Sequence, residues 1–139
     1  MEVSITAQQA NNYERSNIMA PVSNEFGNSL SQLSAAIDQA EKKLRSIPAS
    51  QCDSVSVELP YQKEETERYL QYSVAGLEVM TWDTEEEIEV SRELVKDLQV
   101  VFRIEAANSI PELIELAQAE EPKLKEKCDD VIANIQQSL

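Results

Sequence analysis

Apolar residues recur at steps of three and four over residues 23–47, and this spacing predicts the first helix. The stripe consists of Phe26, Leu30, Leu33, Ile37, Ala40, Leu44 and Ile47. One apolar stripe at this period is typical of an amphipathic helix. Ser23 suits an N-cap, and Pro48 stops the pattern. Residues 1–22 are polar, apart from an alternation at Val3 and Ile5, and we expect an N-terminal arm there.

Similar patterns predict three further helices at about 61–80, 84–107 and 111–138. The second carries Leu70, Val74, Leu77 and Met80 as its apolar stripe. The third and fourth are each preceded by a capping-box spacing, in which a Ser or Thr is followed three positions later by Glu. These boxes are Thr84 with Glu87 and Ser109 with Glu112. Pro122 lies inside the fourth pattern, so we expect a kink or a break there.

The connector at 48–60 leaves two alternatives open. Residues 54–59 alternate between polar and apolar side chains, which is typical of a short strand. A lone strand leaves backbone groups unpaired, so we favour an extended linker that packs Val55, Val57 and Leu59 on a helical core. The predicted fold is all-α, a four- or five-helix antiparallel bundle over 23–139, with the arm at 1–22 and at most one very short β element.

Charge restricts the function. The 139 residues include 26 acidic, 12 basic and no histidine side chains, for a net charge of -14. The absence of histidine excludes Ser-His-Asp catalysis and His-ligated zinc. Residues 1–52 carry five acidic and four basic groups, whereas residues 53–139 carry 21 and 8. We therefore expect no direct binding to nucleic acid or to anionic membranes, and the sequence shows no motif for a cofactor or metal.

The cysteines and the N-terminal sequence indicate a compartment. Cys52 and Cys128 are 76 positions apart and belong to no C-x-x-C motif, which is typical of ordinary thiols under reducing conditions. The first residues lack a secretory signal, and no apolar run reaches the length of a membrane span. The sequence predicts a cytoplasmic protein.

The first hypothesis for function is non-catalytic binding of a basic partner protein through acidic helical faces. The chain resembles nuclease immunity proteins and DNA-mimic inhibitors in charge and size, and the resemblance implies an inhibitor, immunity or adaptor role. Negative surfaces of this kind accelerate association with cationic partners. The predicted contact residues are Trp82, Glu85, Glu86, Glu89 and Glu93.

The second hypothesis is a homo-oligomeric structural module or a secretion-type chaperone. The first helix then supplies the seam, through Leu30, Leu33, Ile37 and Leu44. Its regular stripe would pair with another copy or with a helical client.

The third hypothesis is an enzyme. The acidic pairs at i, i+3 spacing include Glu64/Glu67, Glu86/Glu89, Glu112/Glu115 and Glu126/Asp129. These pairs resemble the E-x-x-E and E-x-x-D motifs of the all-α nucleotide pyrophosphohydrolases (the MazG-like family), and the resemblance implies magnesium-dependent hydrolysis. Because 26 acidic residues in 139 positions give about five such pairs by chance, the binding hypothesis is favoured over the enzyme.

Overall fold

The computed structural model describes residues 21–60 and 64–139, and they form an α+β fold. The helices are α1 (Pro21–Arg45), α2 (Val100–Ala107) and α3 (Ile110–Ser138). The strands are β1 (Ser56–Glu58), β2 (Thr66–Ser73), β3 (Gly76–Asp83) and β4 (Ile88–Leu94). Short 3-10 turns cover Pro48–Gln51 and Val95–Asp97. The predicted all-α bundle is therefore wrong. The predicted arm lies outside the described residues, except for positions 21 and 22, which begin α1.

The four strands form one antiparallel sheet in chain order, β1-β2-β3-β4. The longest ladder joins β2 to β3, from Thr66 opposite Asp83 to Ser73 opposite Gly76. The register between β3 and β4 shifts between Thr81 and Trp82, as at a β-bulge. Sequential strands joined by tight turns give this meander topology.

The helix predicted at 61–80 is wrong because its apolar residues also fit a strand period. The structure buries Leu70, Tyr72, Leu77 and Val79, which alternate along β2 and β3. Val74, which the helical stripe placed in the core, lies in the β2–β3 turn and is 91% exposed. Aromatic and β-branched residues at these positions favour a half-buried sheet.

The helix predicted at 84–107 is also wrong over most of its length. Residues 84–87 form a turn, and β4 follows, with Ile88 and Val90 more than half exposed. Only the final part is helical, as α2. Thr84 therefore caps no helix, and Glu87 lies in the turn with a φ of 58°. Three consecutive acidic residues suit an exposed turn as well as the first turn of a helix, and the pattern alone did not separate the two.

The connector at 48–60 contains a strand and not only a linker. β1 pairs with β2, with Val57 opposite Leu70. Val55, Val57 and Leu59 are buried as expected, at 2%, 5% and 7% exposure. The strand that pairs with β1 is β2. The apolar pattern of that segment predicted a helix and so offered no pairing partner there.

The two long helices lie close to their predicted positions. α3 continues from Ile110 to Ser138 with Pro122 inside it, so the chain does not break at the proline. Ser109 precedes α3, but its side chain makes no capping hydrogen bond. Among the described residues, no helix combines the length and the apolar character that crossing a bilayer requires.

The chain divides into two compact units, residues 1–38 and residues 39–139. The described part of the first is the beginning of α1, in which Phe26 is 50% exposed. The second holds the end of α1, the sheet, α2 and α3. Within it, α3 packs against β1, β2 and the 3-10 turn at Pro48–Gln51. Its core is centred on Leu44, Leu70, Leu77, Val95 and Leu113, each with no exposed surface.

Candidate docking surface

The sheet has a covered face and an open face, which its register separates. Leu70, Tyr72, Leu77 and Val79 are buried on the covered face. The alternate residues of β2 and β3 lie on the other side, which we call the open face. Cross-strand neighbours there are Glu67 with Trp82, Tyr69 with Met80 and Gln71 with Glu78; Arg92 and Glu89 of β4 stand beside Met80 and Trp82.

A buried carboxylate organises the middle of the open face. Glu78 is only 5% exposed. Its carboxylate accepts hydrogen bonds from Gln71 Nε2 at 2.7 Å, Ser73 Oγ at 3.1 Å and Arg92 Nη1 at 2.9 Å. A buried charge is tolerated when it is paired and hydrogen-bonded in this way. Glu78 therefore holds Arg92 in a defined position on the sheet.

Arg92 is shared with a second carboxylate. Its Nε donates to Glu89 Oε2 at 2.7 Å, and the Arg92 side chain is 48% exposed. This hydrogen bond lowers the pKa of Glu89 below its ordinary value and raises the pKa of the Arg92 guanidinium. Glu89 thus stays ionised beside Trp82 over the physiological range.

A groove of about 490 Å³ runs along the open face. Tyr69, Met80 and Trp82 supply its apolar and aromatic lining, while Glu89 and Arg92 border it with charge. Trp82 is partly exposed. Large amphipathic side chains of this kind are frequent anchors in protein interfaces.

Carboxylates converge at one end of the sheet, because β2 begins where β3 ends. The Thr84 N–H donates to the Glu65 carbonyl at 2.9 Å and joins the segment before β2 to the β3–β4 turn. We call this region the acidic end, and its carboxylates are Glu64, Glu65, Glu67, Asp83, Glu85, Glu86, Glu87 and Glu89. Neither 64–67 nor 83–91 contains a Lys or Arg. Arg92, the residue after the second segment, pairs with Glu89, so the acidic end keeps a large excess of negative charge.

The β3–β4 turn is shaped by Asp83. Its Oδ1 accepts the backbone N–H groups of Glu85 and Glu86, each at 2.9 Å. This Asx-type turn leaves both glutamate side chains exposed. Glu65 and Glu87 are the non-glycine residues with positive φ among those the structure describes, at 64° and 58°.

Tyr69 connects the acidic end to the groove. Its hydroxyl donates to Glu67 Oε1 at 2.5 Å. The hydrogen bond to Glu67 raises the pKa of Tyr69 from 10.0 to about 12, with smaller contributions from burial and from the charges of Glu67 and Glu58. The phenol therefore remains a protonated hydrogen-bond donor at neutral pH.

The structure brings together four of the five residues predicted to contact a partner. Trp82 and Glu89 are cross-strand neighbours, and Glu85 and Glu86 lie in the turn between their strands. Glu93 lies instead on the opposite side of the sheet, opposite Val79. There it lines a small cavity of about 70 Å³ with Phe102, over which Arg68 stacks at 5.3 Å from the ring centroid.

The residues of the predicted oligomer seam differ in accessibility. Leu44 is completely buried and Ile37 is 2% exposed. Leu30 and Leu33 are partly exposed. The seam stays a prediction, and the stripe has accessible surface in the N-terminal part of α1 rather than along its whole length.

The acidic pairs that suggested an enzyme do not share one environment. Glu64/Glu67 and Glu86/Glu89 lie in turns and strands, whereas Glu112/Glu115 and Glu126/Asp129 lie on α3. The all-α fold implied by the resemblance to pyrophosphohydrolases is wrong for this chain. Within residues 21–60 and 64–139, no group of three or more Cys, Asp and Glu side chains is placed to hold a metal ion.

Sequence reasoning missed the rest of the open face, namely Tyr69, Gln71, Glu78, Met80 and Arg92. The signal was present as a polar–apolar alternation along β2 and β3, with the turn before Gly76 separating them. That alternation has the period of a strand, and it places these residues on one side.

No protein-family model, curated protein or solved structure matches this chain.

Proposed function

We propose that this protein is a non-catalytic binding module that docks a basic partner protein with the acidic end and the adjoining groove. One observation carries the proposal: Trp82 lies between Glu67 and Glu89 on the open face, next to the exposed carboxylates of the β3–β4 turn. An aromatic anchor close to exposed carboxylates suits a partner that presents Lys or Arg next to an apolar side chain. An inhibitor, immunity or adaptor role would be compatible with such a contact.

The charge distribution supports fast, salt-sensitive association. Eight carboxylates lie at one end of a sheet, in a chain with a net charge of -14. Such a field steers a cationic partner toward that end and excludes polyanions from it. The acidic end would supply the association rate, and Trp82 would supply the contact that slows dissociation.

Backbone strain at the acidic end also supports a role for its carboxylates. Glu65 and Glu87 adopt left-handed conformations that glycine or asparagine adopts more easily. Each such residue costs about 1–3 kcal/mol. Retaining glutamate at two strained positions is understandable if the side chains contribute to binding.

We place this binding in the cytoplasm. Cys52 and Cys128 are both free thiols in the structure. Free thiols persist most readily in a reducing compartment.

The test is an affinity capture that compares matched charge reversals. The baits are the full chain, the Glu85→Lys/Glu86→Lys variant and the Glu112→Lys/Glu115→Lys variant. All four glutamates are exposed, so both variants make the same change in net charge without disturbing the core. Lysate is applied at about 50 mM NaCl and eluted at about 500 mM, where charges are screened within a few ångströms.

We expect the full chain to retain one stoichiometric basic protein that salt releases. The turn variant should lose at least tenfold in affinity through slower association, while the α3 variant retains binding. With that protein purified, Trp82→Ala should mainly accelerate dissociation. Equal losses in the two charge variants, or a captured protein indifferent to Trp82, would show that the acidic end is not the docking surface.

A further inference from the structure

Within residues 21–60 and 64–139, no segment packs over the C-terminal half of α3. Every residue from Lys125 to Ser138 is exposed. At about 1.5 Å per residue this segment is roughly 20 Å long. Isolated helices of about 12–15 residues are only marginally stable in water, so a partner along this segment would stabilise it.

An apolar stripe runs along this segment at coiled-coil spacing. Leu124, Cys128, Val131 and Ile135 follow one another at steps of four, three and four. Val131 and Ile135 are 54% and 55% exposed, and Ile132 at the margin of the stripe is 45% exposed. Steps that average 3.5 residues keep a seam facing a second helix.

The placement of charges along the segment is compatible with a second copy of this chain as the occupant. Its three acidic residues, Glu126, Asp129 and Asp130, lie roughly 130° or more around the helix from the stripe. The flanks of the stripe carry Lys125, Ile132, Lys127 and Asn134. Two copies with a net charge of -14 repel each other over most of their surface. Along the seam between Leu124 and Ile135 they meet without placing carboxylates opposite one another, since Glu120 and Glu121 lie one turn outside it.

The direction of pairing follows from the other half of α3. On the same helical face, Ile110, Leu113 and Ala117 are buried. Glu121 Oε2 accepts the Ala49 N–H at 3.0 Å, so the 3-10 turn covers the helix there. In a parallel pairing, the covered N-terminal halves of the two α3 helices would lie side by side, and the segments packed on them would collide. In an antiparallel pairing, the covered halves of the two helices lie at opposite ends of the shared interface.

We infer that two copies of the chain associate through an antiparallel pairing of the C-terminal halves of α3. Leu124 then lies opposite Ile135 of the second copy, and Cys128 lies opposite Val131. Lys125, whose ammonium donates to Asp129 Oδ2 of its own helix at 2.7 Å, lays its alkyl stem along Ile132 of the second copy. The interface is isologous, since each copy contributes the same surface. This inference is independent of the proposed docking function.

The first test measures mass against concentration for three full-length proteins. These are the natural chain, the seam variant Val131→Asp/Ile135→Asp and the control Ala133→Asp/Gln137→Asp, which adds the same charges at the same spacing on the outer face of the helix. Sedimentation or light scattering over about 1–200 μM follows the mass-action equilibrium. We expect the natural chain and the control to approach twice 15.6 kDa. The seam variant should associate at least tenfold more weakly.

The second test measures direction by disulfide formation, in a Cys52→Ser/Cys128→Ser background. Leu124→Cys chains and Ile135→Cys chains are oxidised separately and as a mixture. Antiparallel pairing places Leu124 beside Ile135 of the second copy but roughly 16 Å along the helix axis from its own equivalent. We therefore expect covalent dimers in the mixture and few in either separate sample. Parallel pairing would give the reverse.

Three results would overturn the inference. One is a natural chain that stays monomeric at every concentration, which would leave the stripe to another occupant. Another is a dimer that survives Val131→Asp/Ile135→Asp, since its interface would then lie elsewhere. The third is efficient cross-linking of the separate cysteine variants. Circular dichroism of each variant verifies that the sheet and helices remain folded.

Discussion

The β2–β3 hairpin contacts α1 at Gly76, which packs directly against the Glu41 carboxylate. Gly76 begins β3 with a φ of +122°, a conformation that side-chain-bearing residues rarely adopt. The Glu41 carboxylate fills the space beside it and accepts the Leu77 N–H at 2.8 Å. A Cβ at residue 76 would stand 2.6 Å from Glu41 Oε2. The end of α1 is thereby joined to the sheet through a nearly buried carboxylate.

Gly76→Ala should destabilise the protein by about 1–3 kcal/mol, from strained φ and from the contact with Glu41. Glu41→Ala should cost a similar amount, because it leaves the buried Leu77 N–H unpaired. Chemical denaturation of both variants and of the double variant measures their coupling. The double variant should lose less than the sum, since removing Glu41 relieves the contact but not the strained φ. Strict additivity would contradict the close approach.

Removing the Glu67 carboxylate should lower the pKa of Tyr69. Its pKa is raised to about 12 chiefly by the hydrogen bond to Glu67, so Glu67→Gln should return it toward 10. A group whose pKa is raised by folding contributes stability that is fully present below its unfolded pKa. That contribution should therefore be complete below about pH 10 and disappear as the pH rises toward 12.

Tyrosinate absorbance, taken as the difference between each protein and its Tyr69→Phe counterpart, isolates this residue from the other tyrosines. Unfolding by denaturant at pH 9 and pH 11 gives the stability. An unchanged Tyr69 titration in Glu67→Gln would show that burial, and not the hydrogen bond, raises the pKa.

The two halves of helix α3 lie in different environments. Its N-terminal half buries Ile110, Leu113 and Ala117, whereas its C-terminal half is exposed on all sides. Pro122 lies near the junction and is itself exposed. It donates no N–H to the Gln118 carbonyl four positions earlier, and its ring crowds that same carbonyl. The helix nevertheless continues, because packing of the N-terminal half and the apolar register outweigh this local defect.

Pro122→Ala should therefore stabilise the folded chain, by up to about 3 kcal/mol, since it restores a helical hydrogen bond and removes the crowding. Equilibrium denaturation measures the gain, and circular dichroism should show at least as much helix. A loss of stability would instead mean that a bend at Pro122 is needed for α3 to pack on β1, β2 and the 3-10 turn.

At the scale of the whole molecule, the net charge of -14 is distributed unevenly. Eight carboxylates gather at the acidic end, while those of residues 125–138 lie on the face of α3 away from its apolar stripe. Salt should consequently act in opposite directions on the two proposed contacts. It screens the attraction of a basic partner for the acidic end, and it screens the general repulsion between two copies.

The long amphipathic helices could be predicted from the sequence, and the sheet could not. The stripe from Phe26 to Ile47 and the one from Leu113 to Ile135 extend over several turns, and such long patterns are compatible with few other structures. Over 61–107, Leu70, Leu77 and Met80 fit a helical period, while Leu70, Tyr72, Leu77 and Val79 fit a strand period. Local pattern did not separate them, because runs this short satisfy both.

The candidate docking surface was also only partly predictable from the sequence. Trp82, Glu85, Glu86 and Glu89 were identified from composition and nearness in the sequence, and they remain neighbours because they span one hairpin. Glu93 was grouped with them by helical spacing and lies on the other side of the sheet. Glu78 and Arg92 are 14 positions apart and meet only because β3 pairs with β4.

The amino-acid sequence alone is sufficient to predict the strong negative charge, the lack of histidine chemistry and the two long helices. These properties follow from composition, or from periods sustained within one segment. Three features emerge only in the folded chain. Strands form over 66–94, the segment with Glu64, Glu65 and Glu67 meets the β3–β4 turn, and one half of the α3 stripe is exposed. Each of these depends on pairing and burial between distant segments, which stabilise one local conformation over another of nearly equal intrinsic preference.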